Sequence, residues 1–253
     1  MTNTLQIILL GITQGITEFL PISSSGHLAI LQKIIHFDKN VLLVDSFLHL
    51  GTLLAILIAF RKDIWDIILK RNWKVIWILF VASIPTAIIG FGLEKVMDKL
   101  SLTFVGIGFF ITAILLIIIN RIKKDNTNDQ EIKDLNIKDA LIVGTIQGIA
   151  VLPGISRSGS TLFASMTRKL KMEEALKFSF LLAIPAILGA NILSLTKNFS
   201  EALVIKGDLA LGLIISCIFG IISIWMLRYL LGKSKLWYFS IYLILLGIVI
   251  IAI

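Results

Sequence analysis

Six long apolar runs, separated by short polar segments, set the pattern of this chain. They cover residues 42–60, 73–93, 102–120, 175–195, 209–231 and 236–253. Each run is close to the roughly 20 residues that a helix needs to cross the hydrocarbon core of a bilayer. The pattern predicts six transmembrane helices and therefore an all-α integral membrane protein.

Two further apolar segments are interrupted by small polar residues. The arms 5–20 and 28–37 flank residues 21–27, and the arms 139–152 and 162–170 flank residues 153–161. At ~1.5 Å per residue even the first of these arms extends only about 24 Å, so none crosses a membrane alone. Non-helical backbone at membrane depth survives only where protein or water surrounds it. We expect two re-entrant helix–loop–helix hairpins.

The two halves of the chain repeat each other at an offset of 133 positions. The offset pairs Gly11 with Gly144, Gln14 with Gln147, Gly15 with Gly148, Ser23 with Ser156, Ser25 with Ser158 and Gly26 with Gly159. We infer a single membrane domain that consists of repeat one (about 1–120), a charged cytoplasmic linker (121–138) and repeat two (about 133–253).

Loop charges predict the orientation of the chain. Basic residues cluster at 61–74, 121–138 and 228–235, whereas 94–99 and 197–208 each balance two acids against two bases. The positive-inside rule makes the first three segments cytoplasmic. Both termini then lie outside, the hairpins enter from opposite sides, and the two repeats have inverted topology. We expect a site at the hairpin tips that opens to the exterior.

Composition excludes several functional classes. The chain is 57% hydrophobic and 16% charged, with a mean hydropathy of +0.95, outside the range of soluble domains. The net charge of +8 comes from loop residues, so we expect no nucleic-acid partner. Cys217 is the only cysteine, which excludes internal disulfides. The opening M-T-N-T-L-Q lacks the basic start of a secretory leader, and we expect none to be removed.

The two hairpin loops combine the features of an anion site. A helix that begins near Gly26 or Gly159 presents free N–H groups and the positive end of its dipole. Arg157 adds a planar fork of five donors. We assign substrate binding to Gln14, Ser24, Ser25, Ser156, Ser158 and Thr161. Two facing loops suit a diphosphate, although such residues also serve close helix packing. Residues 154–161 nearly match a P-loop but lack its lysine, and we reject that match.

Glu18, His27 and Arg157 are the candidate catalytic residues. A carboxylate and an imidazole at membrane depth can divide proton transfer or nucleophilic attack between them. The alternative is a purely structural ion pair between Glu18 and Arg157. Asp45 and His49, spaced i, i+4, fit either a substrate-edge or metal pair or a local capping pair.

Three motifs carry a family resemblance: Q-G-I-T-E at 14–18, P-I-S-S-S-G-H at 21–27 and P-G-I-S-R-S-G-S-T at 153–161. On these motifs the chain resembles, over essentially its whole length, the undecaprenyl-diphosphate phosphatase or bacitracin-resistance family. The resemblance implies a multi-pass enzyme of the bacterial plasma membrane. Such an enzyme removes the terminal phosphate of undecaprenyl diphosphate and recycles the lipid carrier of peptidoglycan synthesis.

The resemblance also implies roles for particular residues. It makes Glu18, His27 and Arg157 catalytic, with His27 either the nucleophile or the base for water. It implies a divalent cation, Mg²⁺ or Ca²⁺, with Glu18 as a ligand. Many members have glutamate where this chain has Gln14, which leaves Glu18 as the main acid.

Two other functional classes fit parts of the pattern. A transporter or flippase for an anionic lipid or small anion has the same architecture of inverted repeats with broken helices. A structural scaffold gives no reason for Glu18, His27 and Arg157 to converge. Phosphate release from a polyprenyl diphosphate distinguishes the enzyme from both. No oligomeric state is predicted.

Overall fold

The computed structural model describes residues 3–37, 40–97, 100–125, 129–232 and 236–252, and this part of the chain is helical almost throughout. Its elements are α1 (Asn3–Phe19), α2 (Ser24–Ile34), α3 (Val41–Ala59), α4 (Arg61–Leu69), α5 (Trp73–Met97), α6 (Leu102–Asp125), a 3-10 turn (Ile132–Asp134), α7 (Ile137–Ile149), α8 (Arg157–Thr167), α9 (Met172–Val204), α10 (Lys206–Gly232) and α11 (Trp237–Ala252). The predicted all-α class is confirmed.

Five of the described helices are long and apolar enough to cross a membrane, namely α3, α5, α6, α9 and α10. The sixth predicted span, α11, is apolar but has only 16 residues. At ~1.5 Å per residue it extends about 24 Å. The chain is therefore a multi-pass membrane protein, and five of the six predicted spans are confirmed by length and composition.

The predicted exterior segment at 197–208 is mostly helical, which corrects the expected loop. α9 continues to Val204 with one non-helical residue, Asn198, and α10 begins at Lys206. Nδ2 of Asn40 donates to Oδ1 of Asn198 (3.0 Å) and to Oε2 of Glu201 (2.8 Å). These tertiary contacts stabilise a helix that its polar sequence does not predict. The segments 94–99 and 228–235 lie partly outside the described residues, at 98–99 and 233–235.

Both predicted hairpins contain two helices joined by a short break. Residues 20–23 separate α1 from α2, and residues 150–156 separate α7 from α8. Each second helix begins two residues earlier than predicted because a serine caps it. The Oγ atoms of Ser23 and Ser156 accept from the N–H groups of Gly26 (3.3 Å) and Gly159 (3.1 Å). Arg157 is therefore the first residue of α8 rather than part of the loop.

Glycines allow close packing between the two halves of the chain. α1 packs against α10, and α7 packs against α5. A Cβ on Gly15 would lie 2.7 Å from the carbonyl oxygen of Ser216 in α10. A Cβ on Gly144 would lie 1.9 Å from that of Ala82 in α5. Any side chain at these two positions would force the helix backbones apart. The first helix of each half therefore packs closely against a helix of the other half.

Polar contacts join the ends of α3 and α9 in an antiparallel pair. At one end, Asn40 meets the last turns of α9 as described above. At the other end, Nζ of Lys177 pairs with Asp63 of α4 (3.2 Å) and with Glu174 (2.7 Å). α9 is therefore held near its C-terminal end by Asn40, which precedes α3, and near its N-terminal end by Asp63 of α4.

Candidate active site

Glu18, one residue before the end of α1, is the centre of a buried polar cluster. The residue is 5% exposed. Oε1 accepts a hydrogen bond from Nη2 of Arg157, and Oε2 accepts from Oγ of Ser24 (2.5 Å) and Nε2 of Gln14 (3.0 Å). Hydrogen bonds from several donors offset the loss of water around a buried carboxylate. The acid of the first hairpin is thereby joined to the arginine of the second.

The backbone before α8 is held by α6, and this contact positions Arg157. Gly154 has φ +87, and a Cβ there would lie 2.2 Å from the carbonyl oxygen of Val105, so the position requires glycine. Oγ1 of Thr112 donates to the carbonyl of Gly154 (3.2 Å) and accepts from the N–H of Ser156 (2.9 Å). Arg157 follows directly, at the N-terminus of α8.

A cavity of about 190 Å³ lies beside this cluster. Polar and apolar residues both line it, namely Glu18, Ser23, Ser24, Ser25, Ser46, His49, Ala150, Val151, Ile155, Ser156, Arg157, Ala186, Ile187, Ala190 and Asn191. Nη1 of Arg157 is buried and has no hydrogen-bond partner among the described residues. The cavity suits an anion attached to an apolar group, because residues that carry hydrogen-bond donors and apolar residues line the same space.

Three of the predicted binding serines, Ser24, Ser25 and Ser156, line the cavity. Gln14 is fully buried and contacts Glu18 rather than the cavity. Ser158 and Thr161 lie outside the lining set. Oγ of Ser158 donates to the carbonyl of Leu20 (3.3 Å), and Oγ1 of Thr161 donates to that of Arg157 (2.8 Å). The hydroxyl of Ser158 therefore ties the second hairpin to the first, whereas that of Thr161 bonds within α8 and to Ser179 of α9. Neither lines the cavity.

His27 lies away from Glu18, on the side of α2 that faces α6 and α11. Its Nδ1 donates to the carbonyl of Ser23 (2.8 Å), and its Nε2 bonds to the hydroxyl of Tyr242 (2.7 Å). Its ring stacks on that of Tyr242 with 5.7 Å between centroids, and the ring of Phe109 lies 5.4 Å away. His27 does not line the cavity, so the structure does not bring all three predicted catalytic residues together.

His49 of α3 occupies the place beside Glu18 that the motifs suggested for His27. Its Nδ1 lies 2.8 Å from Nε2 of Gln14 and 3.4 Å from Oε2 of Glu18. Asp45, one turn earlier, accepts instead from Nε2 of Gln32 (2.7 Å). The signal for His49 in the sequence is an ionisable residue inside an apolar span, although its spacing from Asp45 also fits a local capping pair.

The described residues contain no group of three or more His, Cys, Asp or Glu side chains that could hold a metal ion by themselves. Glu18 is the one carboxylate in the cavity lining. Oε1 of Gln14 is buried and has no hydrogen-bond partner among the described residues. Because Gln14 does not line the cavity, Glu18 alone could offer a carboxylate oxygen to a cation there, and Mg²⁺ would take its remaining ligands from phosphate and water.

Comparisons with known proteins agree along the whole chain. The profile of the family described as "Bacitracin resistance protein BacA" matches residues 7–249. The chain is 42% identical to the undecaprenyl-diphosphatase of Carboxydothermus hydrogenoformans, with 98% of this chain and 97% of the relative covered. It is 40% identical to that of Halothermothrix orenii (97% and 96% covered) and 39% identical to that of Methanococcus vannielii (96% and 98% covered).

Proposed function

The chain belongs to the family of the bacitracin resistance protein BacA, and on that basis we propose that it is an undecaprenyl-diphosphate phosphatase of the plasma membrane. Water supplies the oxygen that bonds to the terminal phosphorus, the bridging P–O bond breaks, and undecaprenyl phosphate and inorganic phosphate are released. The monophosphate is the lipid carrier that peptidoglycan synthesis reuses. Recycling it supports resistance to bacitracin, in keeping with the family's name.

One observation carries this proposal: Glu18 and Arg157, from two distant motifs, meet at a cavity that both polar and apolar residues line. Arg157, Ser25 and Ser156 offer donors to the phosphates, whereas the hydroxyl hydrogen of Ser24 is donated to Glu18. Phosphoryl transfer depends mainly on such positioning and on neutralising the charge that develops. Glu18 fixes the guanidinium and the Ser24 hydroxyl by accepting from both.

We assign His27 a chemical role as nucleophile or as base for water. His27 lies on the same helix as Ser24 and Ser25, which line the cavity. Either role requires Nε2 to leave the hydroxyl of Tyr242, so the proposal includes a rotation of the imidazole when substrate binds. The rotation would break the hydrogen bond of Nε2 to the Tyr242 hydroxyl and the stacking of the ring on Tyr242.

A divalent cation, Mg²⁺ or Ca²⁺, completes the proposed site. When bound, it would neutralise phosphate charge. Glu18 is the carboxylate in the cavity lining that could hold it. A single protein ligand binds a cation weakly, so the cation is expected to bind together with the diphosphate rather than before it.

We further propose that the two helix–break–helix units are re-entrant and belong to inverted repeats, with the cavity open to the exterior. Support comes from equivalent serine caps at Ser23 and Ser156, and from the exchanged packing of α1 on α10 and of α7 on α5. His49 lies near the middle of α3, which supports a site at membrane depth.

The deciding experiment is phosphate release by the purified protein in detergent with a polyprenyl diphosphate. We expect release by the wild type and strong impairment in Arg157→Gln. Lys177→Gln, in an ion pair at the far end of α9, is the matched control and is expected to keep wild-type turnover. Transport of a polyprenyl phosphate across vesicles without phosphate release would instead favour a transporter or flippase.

A further inference from the structure

We propose that His49 is a further phosphate-binding residue, which donates a hydrogen bond from Nε2 to an oxygen of the substrate's phosphates. We also assign Gln14 as the positioning residue that keeps the hydrogen on that nitrogen. The inference rests on the phosphatase function proposed above. His49 belongs to α3 and lies outside the three motifs that identify the family.

Placement within the cavity gives His49 access to the substrate. It lines the same space as Arg157 and Ser24, and 31% of its side chain is exposed. Its Nδ1 faces Gln14 at 2.8 Å. Its Nε2 has no hydrogen-bond partner among the described residues, so one ring nitrogen is fixed by the protein and the other is available to a ligand.

Glu18 determines which way the amide of Gln14 faces. Nε2 of Gln14 lies 3.0 Å from Oε2 of Glu18. Turning the amide over would set its oxygen against the carboxylate oxygen, two acceptors without a hydrogen between them. The nitrogen therefore faces both Glu18 and His49.

The orientation of Gln14 then fixes the tautomer of His49. An amide nitrogen only donates, so Nδ1 of His49 accepts and the neutral ring carries its hydrogen on Nε2. A hydrogen on Nδ1 would face the amide hydrogen across 2.8 Å. The chain of contacts from Glu18 through Gln14 thus prepares His49 as a donor.

A neutral donor is useful here because the charges of the site largely cancel. The positive charge of Arg157 is already paired with Glu18. Binding of a diphosphate then depends on additional N–H and O–H groups that face the cavity. Hydrogen bonds to a charged acceptor contribute more than those between neutral groups.

Kinetics with farnesyl diphosphate test the donor role. His49→Phe keeps a ring but no polar nitrogen, and we expect KM to rise roughly tenfold to a hundredfold with a smaller change in kcat. His49→Gln keeps one acceptor and one donor, and we expect KM within roughly threefold of wild type. His36→Phe removes an exposed histidine after α2 and is the control, with no change expected.

These measurements distinguish failure of the His49 proposal from failure of the phosphatase function on which it rests. A wild-type protein that releases no phosphate overturns the phosphatase. An active wild type with an unchanged KM in His49→Phe overturns the role of His49 alone. If the Phe variant does not fold, failure of His49→Gln to retain the wild-type KM overturns the role instead.

Nitrogen NMR of ¹⁵N-histidine-labelled protein tests the tautomer without using activity. Above the pH range in which imidazole is protonated, we expect an unprotonated Nδ1 and a protonated Nε2, assigned by their loss in His49→Gln. In Gln14→Glu the carboxylate can only accept, so Nδ1 of His49 gains a hydrogen and its unprotonated signal disappears. A wild-type spectrum with the hydrogen on Nδ1 would overturn the proposal.

Discussion

Glu18→Gln removes the charge of a carboxylate that is 5% exposed and accepts hydrogen bonds from Arg157, Ser24 and Gln14. Glutamine has nearly the same shape but only one acceptor oxygen. If that oxygen remains with Arg157, the new NH₂ group meets the amide nitrogen of Gln14, donor against donor. Arg157 also loses its counter-charge. Solvent reaches 20% of its side chain and reduces the cost of that loss.

The expected losses follow from these contacts. Removing one partner of a fully buried ion pair costs about 3–5 kcal/mol, and we expect about 2 kcal/mol here because solvent reaches part of Arg157. Loss of electrostatic stabilisation in the transition state costs on the order of 3 kcal/mol, or roughly a hundredfold in kcat. Both the free energy of unfolding and the rate should therefore fall.

A double variant distinguishes a catalytic role of the Glu18–Arg157 pair from a purely structural one. In Glu18→Gln/Arg157→Gln neither charge remains unpaired, so we expect stability within about 1 kcal/mol of wild type. Turnover should stay roughly a hundredfold or more below wild type. The measurements are denaturant unfolding and phosphate release on the same preparations. A double variant that regains both stability and turnover would refute the catalytic assignment and leave a structural ion pair.

Three further predictions concern chemistry, cation use and orientation. His27→Ala should lower kcat by roughly 10²–10⁴ while diphosphate affinity is retained, because the donors of the cavity remain; a parallel loss of affinity in a binding assay contradicts this. Gln14→Glu should lower the Mg²⁺ or Ca²⁺ concentration at half-maximal rate, since it adds a carboxylate beside Glu18; an unchanged cation titration counts against a ligand at position 14. In a Cys217→Ser background, an impermeant thiol reagent should label Ser200→Cys but not Lys70→Cys from outside intact cells. Labelling of Lys70→Cys reverses the proposed orientation.

The sequence alone was sufficient to predict the helices that are long and apolar enough to cross a bilayer. Long apolar runs predicted five spans that the structure confirms, and the polar interruptions at 21–27 and 153–161 predicted where helices break. The motifs also brought Glu18 and Arg157 into one hypothesis. That pair was predictable because a buried carboxylate and a buried guanidinium need each other.

The features that the sequence did not predict depend on contacts between residues far apart in the chain. The helix at 198–204 is polar, and its neighbours around Asn40 are more than 150 positions away. His49 was ambiguous because an acid and a histidine one turn apart occur both in caps and in sites. The packing of α1 beside α3 distinguishes a site from a cap. Gln14 and Glu18 of α1 contact His49, whereas Asp45 accepts a hydrogen bond from Gln32.

The packing of α1 on α10 constrains how the protein is made. Residues 3–19 leave the ribosome long before α10, the helix against which their glycines pack and which ends at residue 232. At ~5–20 residues per second, roughly 10–40 s of synthesis pass before that helix is complete. During this interval α1, a segment of 17 residues that is too short to span the bilayer, lies in the membrane without the helix against which it finally packs. Biogenesis of this fold therefore depends on the last third of the chain, and a stop codon before α10 should leave an unassembled N-terminal half open to proteolysis.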